Sequence, residues 1–222
     1  MPVFFQQDIN PGAKLALWRI EEAPEFFLER VPVPVFHQSP QKRLQHLAGR
    51  YLLQYLQPGF PLGCILVSMA GRPYLEHSDI DFSISHTGHT AAAIISLKGC
   101  ASIDVEEIRP RIGRIMPRFL HPEERSWVER HVPPTFLEPA TGLAPWWLPT
   151  LLWSAKETVF KAQAAGAVSF QRHIRFEPFD LQPTGEMTFC FCKDEPISYQ
   201  VGYRCWDNLC LTWLVSDAVR KR

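Results

Sequence analysis

Apolar residues along the first 36 positions come in short runs, VFF and then LALWRI, broken by Pro and Gly, which predicts strands. Ser39-Pro40 then predicts a helix start, with Ser at the N-cap and Pro at the first helical position. The helix runs through KRLQHLAGRYLLQYL to Pro58, with Leu44, Leu47, Tyr51 and Tyr55 as its expected apolar face. Arg43 and Arg50 are two turns apart and share a polar edge. Short strands follow at 64–69, 81–86, 91–97 and 101–106, with His86-Thr87-Gly88-His89 as the turn between the second and third. Residues 114–131 read as mostly helical, with Pro122 opening a turn that carries Glu123 and Glu124. The Pro-rich stretch 132–149 reads as a long irregular connection, a kind usually functional or mobile. A second clear helix is predicted over 151–165, ending at Gly166, and HIRFEPF, EMTFCFC, SYQVGYR and LCLTWLV alternate like antiparallel strands.

That order implies an α+β chain in two halves of similar size, 1–100 and 101–222, with no residue-level repeat between them. At 222 residues and 46% hydrophobic, with seven Trp and fifteen Phe, the chain can bury a sizeable core. Its twenty prolines are spread along the sequence and mark turns and strand edges. The charge balance, 23 basic against 23 acidic residues, argues against a general nucleic-acid binder. No apolar stretch approaches ~18 residues, so no membrane span is expected. The N-terminal MPVFFQQDIN lacks a basic region followed by an apolar run, so no signal peptide is expected either. The six cysteines match no zinc template and contain no CxxC; reduced thiols in a cytoplasmic protein are the simplest reading.

Two small constellations carry chemistry. Asp104 and Glu106 stand at i and i+2 on a predicted strand and point to one face, where two carboxylates repel each other unless a cation lies between them. An exposed acidic strand face is the plainer alternative. Glu157 and Lys161 stand four apart on the second helix and share a face, as an ordinary helix salt bridge also would.

Taken together the motifs are far more specific. Ser102-Ile103-Asp104-Val105-Glu106, followed by Trp153-Ser154-Ala155-Lys156-Glu157-Thr158-Val159-Phe160-Lys161, closely resembles the paired signature of the 4'-phosphopantetheinyl transferase superfamily: a Gly-x-Asp-x-Glu strand, then a Trp/Phe-Ser-x-Lys-Glu-x-x-x-Lys helix. Gly71-Arg72-Pro73-Tyr74 is similar to the family's Gly-Lys-Pro element. Phe82-Ser83-Ile84-Ser85-His86-Thr87-Gly88 is similar to its Phe-Asn-Ile-Ser-His-Ser-Gly. Arg118-Phe119-Leu120-His121-Pro122-Glu123-Glu124 resembles its Arg-Phe-Phe-Ser-Pro-Glu-Glu. The likeness covers residues 40–165 well, and the spacing suits the longer, two-halved type typified by the surfactin synthetase activator.

The resemblance implies an α+β fold of two similar halves with a pseudo-two-fold relation and the active site between them. It implies transfer of 4'-phosphopantetheine from coenzyme A to a serine of an apo acyl or peptidyl carrier protein, releasing 3',5'-ADP. Asp104, Glu106 and Glu157 are then assigned to magnesium, a hard ion that favours carboxylate and phosphate oxygens. Glu157 is also the leading general base, directly or through water, and Lys161 stabilises phosphate charge or keeps Glu157 ionised. Lys156 is expected to face a phosphate. Arg50 with Arg43 suits the 3'-phosphate of coenzyme A, Arg72 a phosphate or the adenine, and Ser85 with His86 a phosphate beside the glycine turn. Arg109, Arg111, Arg114 and Arg118 form a candidate stripe for the acidic helix of a carrier, with a solvated helix face as the plainer reading. Trp147 is expected in the core; Trp146 can serve core or carrier. Ser102 stands where the family favours Gly, so replacing it by Gly is expected to leave activity equal or higher. A cytoplasmic monomer is implied. A magnesium-dependent nucleotide phosphohydrolase and a non-catalytic coenzyme A binder are the competing readings.

Overall fold

The computed structural model describes residues 2–32, 39–68, 71–131, 144–163, 166–206 and 208–217. Two units are distinguished: residues up to Val105 together with those from Val215 onward, and Glu106–Leu214. The sequence suggested a single divide near residue 100; the structure crosses after Val105 and crosses again after Leu214.

The first unit is built on a four-stranded antiparallel sheet. Its strands are β1 (Val3–Asn10), β2 (Ala13–Arg19), β5 (Asp81–Thr87) and β6 (Thr90–Ser96), in the order β1-β2-β6-β5. Every residue of β6 is buried, and its Ala91-Ala92-Ala93 run is small enough to let a helix approach. That helix is α2 (Pro40–Leu56). Ser39 caps it by accepting the Lys42 N–H, and Pro40 occupies the first position, as expected from sequence. A short helix α1 (Pro24–Leu28) precedes it, and β3 (Ile65–Val67) pairs with β4 (Pro73–Leu75) in a separate two-stranded ladder. Among the described residues of the expected 64–69 strand, Ile65–Val67 forms; Leu62–Cys64 is a 3-10 turn, and residues 69–70 lie outside the described residues.

The buried face of α2 corrects the expected one. Gln45, Leu47, Ala48, Gly49, Leu52, Leu53 and Leu56 are buried, whereas Leu44 and Tyr51 pack only partly and Tyr55 is 42% exposed. The true stripe runs through a glutamine and a glycine, which a reading of large apolar residues passes over. At Gly49 α2 packs tightly on β5: a Cβ there would lie 2.4 Å from Ile84 Cγ2. The core around it holds Trp18, Phe27, Leu47, Leu53, Phe60 and Phe82.

Strand β7 (Cys100–Glu107) carries the chain from one unit to the other. The second unit continues with α3 (Ile112–Phe119), α4 (Pro122–Arg130), α5 (Ala144–Gln163), α6 (Phe170–His173) and strands β8 (Ile174–Phe176), β9 (Thr184–Phe191), β10 (Ile197–Trp206) and β11 (Leu209–Ser216). The five-stranded sheet has the order β7-β11-β10-β9-β8, and β8 to β11 form an antiparallel meander that matches the four alternating segments of the sequence.

Helix α5 begins at Ala144, well before the expected residue 151, and contains Pro149. Proline inside a helix removes a hydrogen bond and crowds the preceding turn. Here tertiary packing overrides that cost, because Trp147, Leu148, Leu151 and Leu152 are all buried. The rest of the Pro-rich connection, 132–143, lies outside the described residues, as do 164–165 at the expected helix end. No helix among the described residues is long and apolar enough to cross a membrane.

Candidate active site

In the first unit a buried carboxylate is oriented by a strand serine. Asp104 lies on β7 and is only 4% exposed. Ser85, on β5, donates its hydroxyl to Asp104 Oδ1 at 2.8 Å, and the Ser85 Oγ itself accepts the Val105 N–H at 3.3 Å. The Ser85 hydroxyl, expected at a phosphate, therefore orients the Asp104 carboxylate. One residue on, His86 packs edge-on against His46 of α2, with ring centroids 5.1 Å apart. The turn after β5 is tied to α2, because Gln45 Nε2 donates to the Gly88 carbonyl at 2.7 Å.

Arg50 stands one turn after His46 and donates to its carbonyl at 3.3 Å; burial lowers the pKa of its guanidinium. His46 and Arg50 thus share one stretch of α2, with His86 of β5 against His46, while Arg43 is exposed nearer the start of that helix. Arg72 is placed differently. Its guanidinium forms an ion pair with Asp81 at 3.3 Å, and Asp81 in turn accepts the Ala101 N–H at 2.8 Å. Desolvation lowers the Arg72 pKa, and Asp81 works against it. Arg72, expected to meet phosphate or adenine, is thus paired with the carboxylate that links β5 to the start of β7.

In the second unit α5 does most of the positioning. From Trp147 to Ala162 the half-exposed residues are Trp153, Glu157, Phe160 and Lys161, spaced as one helix edge; every other position is buried. Ser154 and Thr158 anchor the opposite side, their hydroxyls meeting Thr212 Oγ1 of β11 at 2.9 and 2.7 Å. Trp153 packs against Phe119 and Phe170, and its indole N–H donates to Glu106 Oε1 at 3.0 Å. The strand half and the helix half of the signature therefore touch. Beside them lies a cleft of about 360 Å³ lined by Glu106, Glu107, Arg109, Arg111, Arg114 and Trp153, among others. Arg109 is ion-paired with Glu107 at its rim. Arg118 is exposed further along α3.

Lys156 corrects the sequence reading. It is fully buried, and its ammonium is enclosed by Glu124 Oε2 at 2.6 Å and the carbonyls of Phe119, Phe170 and Ile174 at 2.9, 3.2 and 2.6 Å. An ammonium has three protons to donate, and four protein oxygens already surround this one, so it does not face a phosphate. Burial pushes its pKa down to about 8, against the pull of Glu124. Glu124 also accepts the His121 N–H, closing the capping box of α4, and the Phe176 N–H of β8. The His-Pro-Glu-Glu motif and the signature lysine are one buried joint between α4, α5 and β8. Sequence missed this joint because its two charges are 32 residues apart. Trp147 is fully buried, as expected, and Trp146 packs over α3, where a Cβ on Gly113 would come within 2.5 Å of its ring.

The fold and this pairing of an acidic strand with a Lys-Glu helix define a mixed α/β enzyme of the phosphopantetheine-transferring class. A model of the 4'-phosphopantetheinyl transferase superfamily matches residues 102–213, and the chain belongs to that superfamily. It is 30% identical over 156 residues to the 4'-phosphopantetheinyl transferase AcpT of Escherichia coli O157:H7, covering 68% of this chain and 75% of that one. It is 28% identical over 167 residues to a putative 4'-phosphopantetheinyl transferase of Haemophilus influenzae, covering 70% and 66% respectively. Enterobactin synthase component D of Escherichia coli K12 is 30% identical over 141 residues, 61% of this chain and 63% of its own.

Proposed function

We propose that this enzyme transfers 4'-phosphopantetheine from coenzyme A to a serine of an acyl or peptidyl carrier protein, yielding holo-carrier and 3',5'-ADP. The observation that carries the reading is the Trp153–Glu106 hydrogen bond, which joins the acidic strand to the helix edge bearing Glu157 and Lys161. The carrier serine oxygen attacks the pantetheine-side phosphorus of the pyrophosphate, and the bond to 3',5'-ADP breaks. Glu157 takes the serine proton. Lys161, one turn further on the same edge, offsets charge on the phosphate oxygens. Arg50, His86 and the more exposed Arg43 suit the 3'-phosphate. Arg111 and Arg114 at the cleft, with Arg118 beyond it, suit an acidic carrier helix.

Asp104, Glu106 and Glu157 would hold the magnesium ion. Among the described residues no three His, Cys, Asp or Glu side chains gather as a metal site. The donor set still fits, because magnesium commonly takes one or two protein carboxylates and completes its shell with water and substrate phosphate. A buried carboxylate such as Asp104 also needs compensating charge. When bound, the ion supplies neutralisation of pyrophosphate charge. The two-halved type belongs to the same proposal, supported by a sheet and a long helix in each unit, and a cytoplasmic monomer is proposed with it.

The test is incubation with coenzyme A, magnesium and a panel of apo-carriers, followed by mass spectrometry of the carrier. A phosphopantetheine mass gain, lost in Asp104→Ala and on chelation, is expected. Phosphate release from coenzyme A without any carrier would point to a phosphohydrolase instead, and coenzyme binding with no transfer to a non-catalytic binder.

A further inference from the structure

One feature outside the site is the CFC run of β9. Phe189 and Phe191 are buried in the core of the second unit, so the strand alternation turns Cys190 to the opposite face. In register, Cys190 lies between Arg175 of β8 and Ser198 of β10. Cys192 stands one residue beyond β9, on the same side, and its N–H donates to the His173 carbonyl at 2.8 Å. Cys192 is exposed and Cys190 half-exposed, and their sulfurs are 2.8 Å apart. The other close pair, Cys205 and Cys210, sits directly across the β10–β11 ladder with sulfurs 3.3 Å apart, but both residues are buried.

We infer that Cys190 and Cys192 form a surface dithiol that closes to an intrachain disulfide by exchange with a small-molecule disulfide. This lies outside the transferase reaction. Cys192, the more exposed thiol, loses its proton and attacks one sulfur of the incoming disulfide; that S–S bond breaks and one small thiolate leaves. Cys190 then loses its proton and attacks the Cys192 sulfur, and the second small thiolate leaves. The two protein thiols give up two electrons and two protons, and the small disulfide is reduced to two thiols. The hydrogen bond to Cys192 pushes the Cys190 thiol up to about 11, which keeps Cys190 protonated until the mixed disulfide forms. Cys205 and Cys210 have the proximity but not the access, and exposed Cys64 is the comparison thiol of the first unit.

The full folded chain is equilibrated with mixtures of glutathione and glutathione disulfide, quenched with acid, alkylated after denaturation and mapped by mass spectrometry. The expected product is a peptide spanning Cys190 and Cys192 that is lighter by two hydrogens and carries no glutathione. It should be half-formed at a ratio about tenfold less oxidising than that needed to modify Cys64. Cys190→Ser and Cys192→Ser should each retain glutathione on the remaining thiol, and Cys205 and Cys210 should stay alkylatable. The inference is overturned if both thiols stay fully alkylatable at every ratio, or if the wild type keeps as much bound glutathione at these positions as the single variants. The readout is mass alone, so it is independent of transferase activity.

Discussion

The indole of Trp153 does two separable things: its ring packs on Phe119 and Phe170, and its N–H reaches Glu106. Trp153→Phe keeps most of the ring contact and removes the donor. A hydrogen bond to a charged acceptor contributes ~1.5–3 kcal/mol, so kcat/KM for transfer should fall about 10–100-fold. Magnesium titrations of the transfer rate should show a higher requirement, and stability to unfolding should fall by no more than that one bond contributes; an unchanged rate would remove Trp153 from the positioning of Glu106. Lys156 behaves differently. Lys156→Met should cost ~3–5 kcal/mol in denaturant unfolding, because it leaves Glu124 charged and buried. Replacing Glu124 as well should not restore the loss, since Glu124 also serves the His121 and Phe176 N–H groups. The motif containing Lys156 was legible from sequence and its role was not: a fully buried lysine is rare, and only the fold brings Glu124 to it. Ser102 is likewise sharpened. It is fully buried on β7, so Ser102→Gly should be read in stability as well as activity, a strand glycine costing ~0.5–1 kcal/mol.

Among the elements, α2 was legible at its start and misread along its side. Ser39-Pro40 is a local signal, and the capping bond it predicts is present. The buried face depends on what the sheet offers, and β5 and β6 offer a surface close enough to demand Gly49. Gly49→Ala should therefore lower stability by ~1–3 kcal/mol through overpacking against Ile84, although alanine is the better helix former. A denaturant midpoint at or above that of the wild type would show that Ile84 moves aside at no cost. Helix α5 carries the converse lesson. Its prolines read as a loop because local propensity says so, and the burial of Trp147 and Leu148 that overrides propensity is a tertiary fact. The face shared by Glu157 and Lys161 was legible because helical spacing alone puts those positions together; that Trp153 is half-exposed on the same edge was not.

For the molecule as a whole, a net charge of zero hides local concentration. Arg111 and Arg114 line the cleft beside Glu106. Reversing both to Glu should raise KM for an acidic carrier about tenfold or more and leave KM for coenzyme A nearly unchanged. The effect should shrink at high ionic strength; equal losses for both substrates would place these arginines at the coenzyme instead. The order of elements suggested one divide near residue 100, and nothing local marks Val215 as returning to the first unit. Gly99 shows how closely that return is fitted: its φ is 81°, and a Cβ would lie 2.2 Å from the Ser216 carbonyl oxygen. The second unit is thus an uninterrupted stretch set inside the first, and this bears on the order of manufacture. Domains ordinarily fold as they leave the ribosome, N-terminal first. Here residues 106–214 are all in hand before Val215 and Ser216 are made. The half whose synthesis begins first is the half that is completed last.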